Sequence, residues 1–369
     1  MKILMQSRLD VFSNPGGDTI QILKTKEYLE KIGCEVTICC DFDVDLGKYN
    51  IVHLFNITAM HETYVQYLNA KRQNKPVVLS PVYQNFDELD LKASYGMKKL
   101  LLNMINKDTR ELLKTILRTT HDSRQLMPAL RQFLMGFTKQ QNEVIAGSSR
   151  LLPNSHLEAQ SILDDFKIKF DYDVVPYAVD SLFLNPDKSF VEKTGWQNYV
   201  LCVANYIERK NQLALIEAMR GLNIPLVLVG AVVPTQKYYY NKILSYAKKA
   251  DFPIKIIEKI TQNELIPLYS GAKVVALPSW IETCGMACLE GALAGCNIAI
   301  TNRGYSKEYF KNMVYYCDPA DIKSIRNSLL KTYELPANLK LKTHIMNHFT
   351  WEKTAEITKC AYEKVLSNV

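Results

Sequence analysis

The chain has 369 residues, 47% hydrophobic and 22% charged, which is the balance of a folded globular protein and enough length for two α/β domains. Its longest near-apolar run, 224–234, is interrupted by Pro225, Gly230 and Pro234 and falls short of the roughly 18 residues a membrane span needs. The net charge of +7 is concentrated. Residues 91–140 hold ten Lys/Arg (Lys92, Lys98, Lys99, Lys107, Arg110, Lys114, Arg118, Arg124, Arg131, Lys139) against Asp108, Glu111 and Asp122, and such a basic segment points to an anionic partner.

The first element, Met1–Gln6, reads as a β-strand and not as a leader, because its apolar run is short and charge follows at once. Residues 18–32 carry Ile20, Leu23, Tyr28, Leu29 and Ile32 at helical spacing, and Gly33 is a natural stop. Strands follow at Glu35–Cys40, Asn50–Phe55 and Pro76–Ser80, and strand–helix–strand order implies a parallel sheet. Over 91–145, Leu101, Ile105, Leu112, Ile116 and Leu117 suit an amphipathic helix with Lys and Arg elsewhere, and Pro128 is expected to break or kink it. That helix is either a solvated face or a contact with anionic lipid or an anionic acceptor. A hinge is expected over Val175–Trp196, where Pro176, Asn185, Pro186 and Gly195 cluster. A second sheet then begins. Strands are expected at 199–204, 225–230, 254–257, 273–277 and 297–301. The helices between them are expected at 211–220, 238–249, 262–270 and from Gly285 onward.

The nine cysteines are odd in number and scattered, which suits reduced thiols better than a secreted disulfide framework. Cys284 and Cys288 are four apart, but no Cys or His pair follows at zinc spacing.

The chemically informative stretch is PSWIETCGMACLEGALAGC, Pro278–Cys296. A strand ends at Leu277, a polar loop carries Glu282, and a helix starts near Gly285. Such a loop lies where open α/β sheets bind ligands, and a helix N-terminus offers N–H groups to a diphosphate. Gly285 allows close backbone approach. Glu290 lies eight positions after Glu282, and with the second half helical both carboxylates stay within reach of one ligand. Glu290 can accept hydrogen bonds from ribose hydroxyls and Glu282 from a sugar ring.

The pattern PS-x-x-E-x-x-G-x-x-x-L-E, met at Pro278, Ser279, Glu282, Gly285, Leu289 and Glu290, resembles the E-x7-E motif of the retaining family 4 glycosyltransferases, also called group 1. NPGGDTIQILKTKEYLEKIGCEVTI, YNIVHLFN, LLPNSHLEAQ, VVPYAVD, NRGYSKEYF and YYCDPADI extend the likeness over nearly the whole chain. It implies an α/β GT-B fold, two facing Rossmann-like domains with the active site in the interdomain cleft. The implied boundaries are 1–180 for an acceptor domain, 181–351 for a nucleotide-sugar donor domain, and a C-terminal helix, 352–369, packing back on the first.

The resemblance implies roles as well. Glu282 would orient the donor hexose, Glu290 would hold the ribose, and Lys210 would stabilise the departing phosphate, with Gly285 and Met286 opening the helix beside it. Gly16 and Gly17 would form the family's N-terminal glycine loop. The family's basic pair is Gly-Arg, four residues, then Lys-Gly. Here ANYIERKNQ keeps Lys210, has Asn205 at the Arg position, and offers Arg209 as a substitute. His53 matches a His at the end of the third strand. The His that often follows the next strand is missing, leaving Tyr83 nearest and His121 as a weak alternative on the acceptor side.

The implied activity is metal-independent transfer of a hexose-type sugar, with retention, from a nucleotide diphosphate sugar to a glycan or lipid-linked hydroxyl, without a further cofactor, in bacterial surface polysaccharide synthesis. No DxD-type carboxylate pair stands at a strand end with a supporting site, since Asp41-Phe42-Asp43 after Cys40 has none. The expected location is cytoplasmic, with peripheral contact at an anionic inner membrane face. A GT-B sugar-nucleotide binding protein without turnover is the alternative, motivated by Asn205 and the missing His. An NAD-dependent dehydrogenase is disfavoured because no G-x-G-x-x-G follows the first strand. Nucleic-acid binding is disfavoured because the basic segment lacks aromatic interleaving.

Overall fold

The computed structural model describes residues 1–13, 15–92, 107–119, 122–258 and 260–367. The chain forms two compact units. One is built from residues 1–84, the described part of 96–177, and 351–367; the other from 85–92 and 178–350.

The sheet of the first unit contains β1 (Lys2–Gln6), β2 (Glu35–Ile38), β3 (Ile51–Phe55), β4 (Val77–Ser80) and β5 (Arg150–Leu151) in the order β2-β1-β3-β4-β5. All its pairings are parallel. Alternating side chains fill both faces. Leu4, Val52, Leu54, Val77 and Leu79 enter one core, whereas Ile3, Met5, Ile51, Phe55 and Val78 enter the other. A parallel sheet must be covered on both sides, so its strands read as continuous apolar runs. The helix Gly17–Lys31 packs on the C-terminal helix Trp351–Ser367, which contributes Ala355, Ala361, Tyr362 and Val365 to the second core.

The sheet of the second unit contains β6 (Tyr199–Val203), β7 (Leu226–Gly230), β8 (Ile254–Glu258), β9 (Ala272–Leu277), β10 (Asn297–Thr301) and β11 (Tyr315–Cys317) in the order β11-β10-β9-β6-β7-β8. It too is wholly parallel. Both orders are doubly wound, and each has one place where consecutive connections leave in opposite directions. These switch points lie between β1 and β3 and between β6 and β9, and ligands of open α/β sheets bind outside the strand ends there.

The sequence reading needs a correction over 107–147. The described residues form three helices, Lys107–Thr119, Leu126–Met135 and Phe137–Gly147. Pro128 breaks none of them. It is the third residue of its helix, in the first turn, where a missing N–H loses no intrahelical bond. The break falls at Gly136, whose φ is +86°. Leu101 and Ile105 lie outside the described residues, as does the side chain of Leu117. Among the described residues no helix is long and apolar enough to cross a membrane.

Candidate functional site

The loops after β6 and β9 meet at the switch point of the second sheet. They are fastened to one another by backbone groups. The Trp280 N–H donates to Arg209 O at 2.8 Å, and the Arg209 guanidinium reaches Ile281 O at 3.3 Å. Asn211, held at φ +58°, donates its side-chain amide to Pro278 O at 3.1 Å and Pro319 O at 2.9 Å. Asparagine tolerates this left-handed conformation better than other non-glycine residues.

The clamp brings Lys210 Nζ to 2.5 Å from Glu282 Oε1. Glu282 is buried. Burial raises its pKa, but the positive charges of Lys210 and then Arg209, with the Lys210 hydrogen bond, outweigh that effect and hold it below the usual carboxylate range. Glu282 is therefore an ionised acceptor facing a cation.

The main chain of Glu282 is fixed from its other side. Its N–H donates to Arg303 O at 3.3 Å, and its carbonyl accepts from Tyr305 N at 2.9 Å. Gly304 stands between them at φ +86°, and a Cβ there would lie 1.9 Å from Glu282 O. Gly304→Ala is therefore expected to destabilise the protein by more than the roughly 1–2 kcal/mol of left-handed strain alone, and to displace the Glu282 loop. Gly295→Ala is the control, because Gly295 has φ +96° but open space around it. Thermal unfolding compares the two. Equal losses would show that Glu282 does not need the close approach.

The helix Met286–Ala294 starts next to this pair, with Gly285 as its N-cap at φ +79° and no side chain capping it. A Cβ on Gly285 would meet Ile300 Cδ1 at 2.7 Å. No side chain caps the first N–H groups of the helix, and the third, of Cys288, donates to Gly285 O at 2.8 Å. Glu290 lies on this helix, about 6 Å along its axis from Met286 at 1.5 Å per residue. It is buried and accepts a 2.6 Å hydrogen bond from Tyr269 Oη. Burial pushes its pKa up to about 7; the Tyr269 bond opposes this and Asp180 adds to it.

Asn205 lies just past β6. Its Oδ1 accepts from Ala231 N at 3.4 Å and its carbonyl from Gln212 Nε2 at 2.9 Å, so it joins the loops after β6 and β7. Gly230 permits this junction, since a Cβ on it would come 2.0 Å from Ala204 O.

The first-unit candidates are engaged within their own unit. Gly16 and Gly17 open the helix Gly17–Lys31, but Asp18 in its first turn already puts a carboxylate at that N-terminus, paired with Arg8 at 2.8 Å. His53 is buried within β3, with Nδ1 2.6 Å from Tyr362 Oη and Nε2 2.9 Å from Ser80 Oγ. Burial pushes its pKa down to about 3, so a neutral ring ties the C-terminal helix to the sheet. Tyr83 is also buried, its hydroxyl donating to Asp165 at 2.7 Å and its N–H to Glu158 at 2.5 Å. The polar atoms of both residues thus bond within the first unit. His121 lies outside the described residues.

The fold and the site geometry can be set beside known proteins. Residues 186–346 match the family described as Glycosyl transferases group 1. The match covers β6 to β11 and with them the clamp, Lys210, Glu282 and Glu290. MMP alpha-(1->4)-mannosyltransferase of Mycolicibacterium hassiacum is 23% identical over 256 residues, 66% of this chain and 60% of that one. D-inositol 3-phosphate glycosyltransferase of Pseudarthrobacter chlorophenolicus is 24% identical over 179 residues, 44% of this chain and 42% of that one. The chain thus spans less than two thirds of the length of these curated relatives. Sucrose-phosphate synthase from Thermosynechococcus elongatus superposes with TM-score 0.74 at 12% identity, all of both chains being covered. HepE of Anabaena in complex with UDP and glucose superposes with TM-score 0.66 at 14% identity, again over all of both. The fold is GT-B.

Three residues around this site were not singled out from sequence. Asn211 and Gly304 carry the only available signal, an Asn and a Gly at loop positions that need positive φ. Tyr269 carries none, because a tyrosine on a helix says nothing about which carboxylate it will meet.

Proposed function

We propose that this protein transfers a hexose-type sugar from a nucleotide diphosphate sugar to a hydroxyl of a glycan or lipid-linked acceptor, with retention and without a metal. The observation that carries the reading is the ionised Lys210–Glu282 pair at the β6/β9 switch point, beside the uncapped N-terminus at Gly285. In this reading the bond between C1 of the sugar and the diphosphate oxygen breaks. Lys210 and the N–H groups following Gly285 meet the charge that collects on the leaving diphosphate. Glu282 orients the hexose and Glu290 the ribose, with Arg209 as a supplementary cation beside Glu282. The acceptor oxygen forms the new bond to C1 and its proton leaves with the phosphate or solvent. Support comes from relatives whose names are those of a mannosyltransferase and a D-inositol 3-phosphate glycosyltransferase, and from a structural neighbour holding UDP and glucose.

The proposal includes a cytoplasmic setting, a role in bacterial surface polysaccharide synthesis, and peripheral attachment to an anionic membrane that carries the acceptor. A binding protein without turnover is the second reading, favoured by Asn205 in place of a basic residue. Release of free nucleoside diphosphate from the donor, with or without acceptor, separates the two.

The first test is a thermal-shift screen against UDP-, GDP- and ADP-sugars. A ligand at a hundred times its dissociation constant stabilises by about 2.7 kcal/mol, which raises the melting temperature by several degrees. One nucleotide series is expected to do so. A protein stabilised by none of them would refute donor binding.

A further inference from the structure

The helix Leu126–Met135 carries its polarity inside out. Leu126, Met127, Leu130, Phe133 and Leu134 are all exposed, Phe133 at 66% and Leu134 at 72%. Their spacing of i, i+1, i+4, i+7 and i+8 places them on one face. The inward positions are small or polar. Gln132 is buried and accepts from Thr115 at 3.0 Å. The preceding Gln125, also buried, donates to Glu62 at 2.8 Å. The neighbouring helix Lys107–Thr119 packs against it and adds Leu113 and Ile116 to the exposed apolar groups. A water-facing helix has the opposite arrangement, and exposed patches of this kind mark an interaction surface.

The charge of the sequence that carries this face selects its occupant. Residues 107–140 contain seven Lys/Arg (Lys107, Arg110, Lys114, Arg118, Arg124, Arg131, Lys139) against Asp108, Glu111 and Asp122. Lys114 pairs with Glu111 and Arg124 with Asp122, so an excess of four positive charges remains. A second copy would bring like charges together across the same apolar face. An anionic bilayer would meet both features at once, accepting the leucines and phenylalanine below its headgroups and the basic groups among them.

We infer that the outer face of Leu126–Met135, with Leu113 and Ile116, inserts into the headgroup region of an anionic membrane. This deepens the peripheral attachment proposed above and rests on it. Attachment then has two components. The electrostatic one weakens as salt shortens the Debye length, whereas the apolar one persists.

The test is co-sedimentation of the full chain with vesicles of equal phosphatidylglycerol and phosphatidylcholine, and with phosphatidylcholine alone, at low and high salt. The protein is expected to bind the anionic vesicles and to retain part of that binding at high salt. Phe133→Ser/Leu134→Ser is expected to weaken partitioning about tenfold or more at either salt, since each side chain loses part of its apolar transfer energy. Because both side chains already face solvent, the melting temperature should stay unchanged. Failure to bind anionic vesicles would overturn the inference, as would a double variant that binds as well as the parent. So would concentration-dependent self-association that the double variant abolishes, which would assign the face to a second copy. The thermal shift with nucleotide sugars, measured on the same samples, reports separately on donor binding: a protein that binds donor but not vesicles refutes only the membrane face.

Discussion

Lys210→Ala is expected to lower kcat by about 10²–10³-fold while changing donor affinity much less, the usual effect of deleting one group that meets charge developing in the transition state. The charge on the diphosphate grows as its bond to the sugar breaks, so a cation beside it contributes most at that point. The variant has a second consequence. Lys210 Nζ lies 2.5 Å from Glu282, and the two side chains are only 15% and 6% exposed. Removing one partner of a buried pair leaves an uncompensated charge and costs about 3–5 kcal/mol, which Glu282 can reduce by taking up a proton. Lower melting temperature would therefore accompany lower turnover, and the two must be separated. Lys210→Met/Glu282→Gln removes both charges together. It is expected to recover much of the stability of the single variant and none of its activity. Steady-state kinetics and thermal unfolding on the three proteins decide the matter. If the Michaelis constant alone changes in Lys210→Ala, the lysine is a ground-state binder and not a transition-state one.

Glu290→Ala is expected to weaken nucleotide binding by about 10–150-fold, the equivalent of the 1.5–3 kcal/mol carried by hydrogen bonds to a charged group. The pH dependence is the sharper part of this prediction. Burial raises the Glu290 pKa to about 7, with the Tyr269 bond opposing and Asp180 adding. If ribose hydroxyls donate to the carboxylate, the ligand binds the ionised form. Affinity should then rise with pH up to about 7, by at most tenfold per pH unit, and level off above. The stability of the free protein should move the other way. A folded-state pKa above the ordinary value of 4.5 means that Glu290's contribution is full below about 4.5 and is lost as pH rises through about 7. Glu290→Gln should flatten both trends. Calorimetric titration of the matching nucleotide across this range, beside melting curves without it, supplies the measurement. Affinity independent of pH in the parent protein would place the ribose elsewhere.

The organisation of the second unit was largely legible in the chain, because parallel strands covered on both faces must be apolar throughout and the turns between them must be polar. The expected strand at 297–301 matches β10, and the expected strands at 225–230 and 273–277 differ from β7 and β9 by one residue. Glu282, Gly285 and Glu290 stood out for a related reason. A strand end, a polar loop and a helix start are local events, and their order shows in thirteen consecutive residues, 278–290.

What lay beyond local order had to be decided by the fold. Lys210 and Glu282 are 72 residues apart, and only the β6/β9 adjacency of the second sheet brings their loops together. His53 was singled out only by its match to a family histidine at the end of the third strand, and its bond to Tyr362 of the C-terminal helix, 309 residues later in the chain, is a tertiary fact. Pro128 looked like a break because sequence does not say where a helix begins, and at the third position of a first turn proline does no harm. The outward face of Leu126–Met135 was hidden for the deepest reason. Periodicity reveals that a helix has two faces, yet which of them meets the core depends on the partners that pack there, and here Thr115 and Glu62 draw the glutamines inward and leave the leucines outside.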